Sequence, residues 1–314
     1  MSCDYLLTGG AGFIGSNIAH RLVREGKSVR ILDNLSTGRA ANLAGIESKL
    51  EFIEGDLRRK EDVQLAVEGV RYIIHLGALP SVARSVEDPI TTNDVNVGGT
   101  LNLLVAAREA GVERFVFSSS SSVYGDTPTL PKREGMMPMP LSPYALSKLA
   151  GEYYCRIYHR LHGLKTFSLR YFNVFGPRQD PKSQYAAVIP LFIDAIGSGR
   201  SPVLHGDGGQ TRDFTYVDDV VSANLACCTA PDSSAGEAYN VARGDRISVK
   251  DLALTIARLM GKEIQPVHGV RRSGDVRDSQ ADSTRARELL GWTPVIDLEE
   301  GLRRTIANLV PQGP

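Results

Sequence analysis

The sequence predicts an α/β fold: a doubly wound parallel sheet covered by helices, with a smaller mixed α/β region towards the C-terminus. Two observations predict it. Short, nearly continuous apolar runs alternate with amphipathic segments through the first half, and a glycine-rich turn joins the first run to the first helical pattern. Strands buried on both faces read as unbroken apolar runs, and strand–helix alternation implies parallel pairing.

The strand runs are residues 4–8, 28–33, 50–54, 72–76, 115–118 and 166–171, with helical patterns at 14–25, 60–67 and 98–110. This succession is Rossmann-like. Beyond Asn173 the pattern is punctuated by Gly176, Pro177, Gly197, Gly199 and the turn 206–209, and helices return at 218–228, 249–260 and 284–290. An apolar run at 238–242 is suited to rejoin the main sheet. The expected division is a Rossmann-like domain over 1–175, rejoined by roughly 214–243, and a ligand-binding region over most of 176–314.

Composition excludes several classes of partner. Lys plus Arg equals Asp plus Glu, 36 each, so the formal net charge is zero. No electrostatic footprint for nucleic acid or an acidic membrane remains, and an anionic ligand has to be held by individual arginines. No apolar run approaches the roughly 20 residues that span a bilayer. Cys3, Cys155, Cys227 and Cys228 lack zinc-ligand spacing, and His159 and His162 lack a third ligand, so no metal site is expected. Met1 leads straight into the first strand without a leader pattern, which makes the cytoplasm the expected compartment.

Gly9, Gly12 and Gly15 form a G-x-x-G-x-x-G spacing between strand one and helix one. Gly9 permits the tight turn, Gly12 lets a pyrophosphate approach the backbone, and Gly15 lets the helix pack on the strand. Asp33 ends the second strand, where its carboxylate can bind both ribose hydroxyls and repel a 2′-phosphate; it can also cap the turn 34–38. With no arginine at 34 or 35, the reading is NAD rather than NADP. Asp56 and Leu57, after strand three, can hold the adenine edge, or Asp56 can be an ordinary acidic turn residue.

Ser142 and Pro143 open a helix on which Tyr144 and Lys148, four apart, share a face. A nearby ammonium and an oxidised nicotinamide are expected to lower the phenol pKa and make Tyr144 a base. The preceding strand ends in Ser118-Ser119-Ser120-Ser121-Ser122-Val123-Tyr124-Gly125, where one hydroxyl can bridge substrate and Tyr144 while the others satisfy backbone groups.

Taken together, Thr8–Ser16, the Asp33–Gly38 turn, Ser-Ser-Val-Tyr-Gly, Tyr-x-x-x-Lys, Arg170–Pro177, Gly-Gln-Thr-Arg212-Asp213-Phe214 and Arg272–Asp275 resemble the extended short-chain dehydrogenase/reductase family, with its UDP-glucose and UDP-N-acetylglucosamine 4-epimerases the nearest match. The resemblance implies Ser120, Tyr144 and Lys148 as catalytic residues. It implies NAD contacts from Gly9, Gly12, Phe13, Ile14, Gly15, Asp33, Asn34, Asp56, Leu57, Leu76, Gly77, Ala78, Asn96, Ser118, Tyr144, Lys148 and Tyr171. For a UDP-sugar it implies Ser120, Tyr144, Asn173, Val188, His205, Arg212, Arg272, Asp275 and Ser279.

The implied reaction is reversible 4-epimerisation through a transient 4-keto sugar, with NAD staying bound. Ser121 and Ser122 stand where related 4,6-dehydratases carry an acid/base pair, which argues against elimination of water. Ser279 stands where some glucose-restricted epimerases carry tyrosine, leaving room for a 2-acetamido group. The alternatives are a UDP-glucuronate 4-epimerase or decarboxylase, and an NAD-binding scaffold. Gly77, Pro80-Ser81 and Phe214 depart from residues common in the family. Apolar faces at 101–107 and 149–161 suit a homodimer.

Overall fold

The computed structural model describes residues 3–181, 187–270 and 276–310. The chain begins β1 (Cys3–Thr8), α1 (Phe13–Arg24), β2 (Val29–Asp33), β3 (Glu51–Glu54), α2 (Lys60–Val67) and β4 (Val70–His75). Two short helices, α3 (Val82–Glu87) and α4 (Pro89–Asn93), lead through a π-helical turn (Asp94–Gly98) into α5 (Gly99–Glu109). Next come β5 (Arg114–Ser120), α6 (Pro143–His162), β6 (Lys165–Tyr171) and β7 (Val174–Phe175). The remainder is α7 (Val188–Gly197), β8 (Val203–His205), β9 (Thr211–Arg212), β10 (Thr215–Tyr216) and α8 (Val217–Thr229), then β11 (Glu237–Val241) and β12 (Ile247–Ser248). It closes with α9 (Val249–Leu259), β13 (Val267–Gly269), α10 (Thr284–Leu290) and α11 (Leu298–Leu309).

Seven strands form one parallel sheet in the order β11-β6-β5-β4-β1-β2-β3, the doubly wound fold that the sequence predicts. The late strand β11 adds to the sheet edge, pairing Glu237–Val241 with Phe167–Tyr171. Strand order reverses between β1 and β4, and this switch point opens a crevice at the strands' C-terminal ends. Successive residues face opposite layers: Leu7 packs with Ile18, Val220 and Trp292 under α1 and α8, while Leu6 packs with Leu103, Leu104 and Phe117 under α5 and α6. Trp292 is a packing anchor, its Nε1 donating to the Asp219 carbonyl at 2.9 Å. A separate core of Phe175, Phe192, Val217, Leu252 and Leu302 holds the C-terminal layer.

One helix begins earlier than its apolar pattern. The expected run 98–110 is preceded by helical turns from Pro89, because Asp88 accepts the Thr91 N–H at 3.0 Å and Pro89 occupies the first position. Helix α6 reaches the sheet only because residue 151 is glycine: a Cβ there would lie 2.2 Å from the Phe117 ring. Among the described residues no helix is long and apolar enough to cross a membrane.

A buried histidine ties the switch point together. Thr100 Oγ1 donates to the Asn96 carbonyl at 2.6 Å, so the His75 ring must donate from Nε2 to Thr100 Oγ1 at 2.9 Å. His75 Nδ1 then accepts from Thr8 Oγ1 at 2.6 Å, while Thr8 Oγ1 itself accepts the Gly77 N–H at 3.1 Å. Burial, with the nearby Lys148 charge, lowers the His75 pKa to about 3. The native state therefore holds a neutral ring, and its stabilisation is present above the ordinary value of 6.5 and is lost as pH falls towards 3. Between pH 6.5 and 4.5 this single group should remove roughly 2–3 kcal/mol from the unfolding free energy. Urea titrations across that range should show this slope in the wild type and its loss in His75→Gln; equal slopes would refute the assignment.

Candidate active site

The glycine turn after β1 is built by close approach. Gly9 has φ of +67°, and a Cβ on it would lie 2.8 Å from Gly77 N, across the switch point. A Cβ on Gly15 would lie 2.3 Å from the Gly9 carbonyl, and one on Gly12 would lie 3.1 Å from it. Only glycines let this loop wrap the start of α1, whose unsatisfied N–H groups and dipole favour an anion.

The crevice is a cleft of about 420 Å³. It brings together Gly9, Gly12, Phe13, Ile14, Gly15, Asp33, Asn34, Asp56, Leu57, Leu76, Gly77, Ala78, Ser118, Tyr144, Lys148 and Tyr171. Asn96 is the exception. It is buried behind the wall, where its Oδ1 accepts the Leu79 N–H at 2.8 Å and its Nδ2 donates to Ser147 Oγ at 3.0 Å. It shapes the loop after β4 without lining the cleft. Asp33 caps its own turn, where Oδ2 accepts the Ala11 N–H at 2.9 Å and Oδ1 accepts the Leu35 N–H at 2.8 Å, and the side chain also lines the cleft. Asp56 pairs with Arg58, which holds its carboxyl at about 2.

The catalytic side chains are set by a seam between α6 and β5. Tyr144, Lys148 and Glu152 recur every four residues, so they lie along one helix face. Each meets one of three consecutive serines. Tyr144 is hydrogen-bonded to Ser120, Lys148 Nζ donates to the Ser118 carbonyl at 2.8 Å, and Glu152 accepts from Ser119 Oγ. Ser120 Oγ also accepts the Ser122 N–H at 3.2 Å and the Ser122 hydroxyl at 2.9 Å. Glu152 is gripped from behind by Arg170, with Nε–Oε1 at 2.9 Å and Nη2–Oε2 at 2.7 Å, both side chains buried.

The electrostatics differ from the sequence expectation in one respect. Burial raises the Tyr144 phenol above its usual value, opposed by the Ser120 hydrogen bond. Burial also lowers Lys148 to about 8, and its Nζ lies 5.9 Å from the Tyr144 ring centroid, committed to a backbone carbonyl. The ammonium therefore does not offset desolvation of the phenol by itself.

A second cavity of about 430 Å³ opens beside the cleft in the C-terminal layer. Asn173, Val188, His205 and Arg212, from four separate segments, all line it. Asn173 adopts a positive φ of 32° and donates from Nδ2 to the Asp213 carbonyl at 3.0 Å. Arg212 Nη1 donates to the Thr211 carbonyl at 2.8 Å. Ser279 donates its N–H to the same Thr211 carbonyl at 3.1 Å, beside Arg212 but outside the lining of either cavity. Arg272 and Asp275 lie outside the described residues.

The family model described as the NAD dependent epimerase/dehydratase family matches residues 5–242. The chain belongs to this family. The UDP-glucose 4-epimerase of Mycolicibacterium smegmatis is 43% identical over 305 residues, 96% of each chain. Among solved structures, the UDP-N-acetylglucosamine 4-epimerase of Methanobrevibacter ruminantium, in complex with UDP-N-acetylmuramic acid, matches with a TM-score of 0.93 at 38% identity over 99% of both chains. The Thermotoga maritima UDP-glucose 4-epimerase with UDP-glucose matches with a TM-score of 0.92 at 38% identity, over 97% of this chain and 98% of that one.

NAD is the cofactor of this family, and the residues present fit it: glycines crowd the phosphate turn, and Asp33 stands at the end of β2. The departure at Gly77 has a local cause, since a Cβ there would lie 2.8 Å from Leu57 Cδ1. Ser81 caps α3 through the Arg84 N–H, and Phe214 packs edge-on against Phe175 at the second cavity. Sequence reasoning missed Ser36, Thr37, Arg39, Arg178 and Gln179 in the cleft, and Gln210, Phe214 and Pro202 in the cavity. Ser36 and Thr37 were within reach, because they lie in the turn that follows Asp33.

Removing one partner of the buried Arg170–Glu152 pair strands the other charge, which typically costs about 3–5 kcal/mol. Glu152→Ala should lose that much unfolding free energy in urea titrations, and Glu152→Met with Arg170→Met should lose considerably less. A single substitution costing under about 1 kcal/mol would show that the pair does not hold the seam.

Proposed function

We propose that the protein is a cytoplasmic, homodimeric UDP-hexose 4-epimerase that acts on UDP-N-acetylglucosamine and UDP-N-acetylgalactosamine, and also on UDP-glucose and UDP-galactose. The observation that carries the reading is the placement of Ser120, Tyr144 and Lys148 at the edge of a dinucleotide cleft with a second, arginine-bearing cavity beside it. Ser121 and Ser122 leave no carboxylate beside Ser120 for eliminating water, which favours epimerisation over dehydration. The relatives named above, epimerases of UDP-glucose and UDP-N-acetylglucosamine, support the same class.

In this reading NAD, when bound, supplies the hydride acceptor and a positive charge beside the phenol. Tyr144 takes the proton of the 4-hydroxyl, and Ser120 donates to the oxygen as charge develops. Lys148, fixed by the Ser118 carbonyl, keeps a cation beneath the ring. Asn173, His205 and Arg212 tether the nucleotide end, so that the 4-keto sugar turns over without leaving and is reduced on its other face. Arg212, with Arg272, supplies the local positive charge that the neutral chain lacks overall.

The dimer is supported by an outward apolar stripe on α6. Leu146, Tyr153, Ile157 and Leu161 are exposed and recur at helical spacing, and Ile90 on neighbouring α4 is also exposed.

Tyr144→Phe should keep its fold and bound NAD yet lose epimerisation by roughly two orders of magnitude or more. Turnover within twofold of wild type, followed by separating the UDP-sugar epimers, would sink the assignment.

Sugar choice is tested at Ser279. Ser279 does not itself line the cavity, but it is hydrogen-bonded to the residue before Arg212, which does, and a longer phenol ring there should reach the space of a 2-acetamido group. Overpacking of about 1–3 kcal/mol corresponds to roughly ten- to a hundredfold in rate. Ser279→Tyr should therefore depress kcat/KM for UDP-N-acetylglucosamine much more than for UDP-glucose. An unchanged ratio would remove the case for the acetamido sugar.

A further inference from the structure

Two consecutive residues after β7 carry buried polar atoms without partners. Arg178 Nε and Gln179 Oε1 are both enclosed and unbonded, and both residues line the cofactor cleft. Buried polar atoms are seldom left unmatched, and an orphan beside a binding cleft points to a ligand atom as its partner.

The backbone at this point is also constrained. Arg178 has φ of +69°, a left-handed conformation unusual for a residue with a long side chain. Such strain persists where neighbours over-determine it, typically at ligand sites. Here the neighbours come from three directions. The Arg178 N–H donates to Asn308 Oδ1 at 3.1 Å, Asn17 Nδ2 donates to the Pro177 carbonyl at 3.1 Å, and Asp180 pairs with Arg39 at 2.7 Å from the loop after β2.

The guanidinium is positioned for an anion. Arg178 Nη2 donates to Asn17 Oδ1, and Asn17 in turn donates to the Phe13 carbonyl at 2.8 Å in the first turn of α1. Among the described residues no carboxylate forms an ion pair with Arg178, and burial lowers its pKa. A dinucleotide places two negative charges at the start of α1, where the helix dipole contributes only about half a positive charge. We infer that Arg178 is a cofactor-binding residue that supplies the cation for the NAD diphosphate, with Gln179 offering an acceptor to the same ligand. The inference rests on the NAD reading of the cleft.

The test compares wild type, Arg178→Gln and Arg178→Lys, each stripped of nucleotide and checked for native circular dichroism. Binding of NAD, ADP and adenosine is measured by titration calorimetry at low and high salt. Arg178→Gln should bind NAD and ADP about tenfold more weakly while adenosine changes by less than twofold, and the deficit should shrink in salt as charge is screened. Arg178→Lys should fall between, because it keeps the charge and loses the fork. If Arg178→Gln does not fold, the Lys variant carries the test: NAD binding weakened with adenosine unchanged supports the inference. Wild-type affinity for NAD in whichever variants fold overturns it, as does equal weakening of ADP and adenosine, which would mean that Arg178 only holds the backbone. A wild type that binds no NAD would instead overturn the cofactor reading, and this inference with it.

Discussion

The grip of Arg170 on Glu152 is the constraint on which the site depends. It joins β6 to α6 through two charge-assisted hydrogen bonds inside the protein, and Ser119 adds β5 to the same carboxylate. With Glu152 held, Lys148 and Tyr144 follow at one and two helical turns and can only meet Ser118 and Ser120. Tyr124 and Asn240 extend the network to β11: Arg170 Nη1 donates to the Tyr124 hydroxyl at 2.8 Å, which donates to Asn240 Oδ1 at 2.7 Å. A catalytic geometry resting on a few hydrogen bonds needs this kind of fixed support, since small misplacement is costly to rate.

The second organising feature is the switch point between β1 and β4. His75, Thr8 and Thr100 link the two strands to α5 through neutral hydrogen bonds, and Gly9 approaches the Gly77 backbone closely enough that it accepts no side chain without rearrangement. The crevice is therefore lined by backbone rather than by bulky groups on its phosphate side. Charge of both signs lines it, from Asp33, Asp56 and Asp180 and from Arg39, Arg84, Lys148 and Arg178. A chain with no net charge can bind a doubly anionic ligand because these few cations stand in partly dehydrated surroundings, where each interaction is stronger than in bulk water.

Sequence alone determined the parallel sheet, the glycine turn and the Tyr144–Lys148 pair, because each is a local pattern with one physical meaning. Apolar runs of strand length specify buried strands, glycine spacing specifies a turn, and residues four apart on a helix share a face. The glycine turn, Asp33 and the Asp56-Leu57 turn were legible for this reason, whereas the other expected cleft residues were implied by the family resemblance. Tertiary structure alone decided what depends on contacts between distant segments. It placed Asn96 behind the wall, because the loop after β4 needed a partner for its Leu79 N–H. It left the Tyr144 phenol raised, because burial dominates and the Lys148 ammonium donates its hydrogen bond to a carbonyl rather than to the phenol. It brought Arg178 against α1, 161 residues from Asn17, through a left-handed residue that no periodicity announces. Local patterns report the energy of neighbours in sequence, whereas burial and pairing across the chain exist only once the chain has closed on itself.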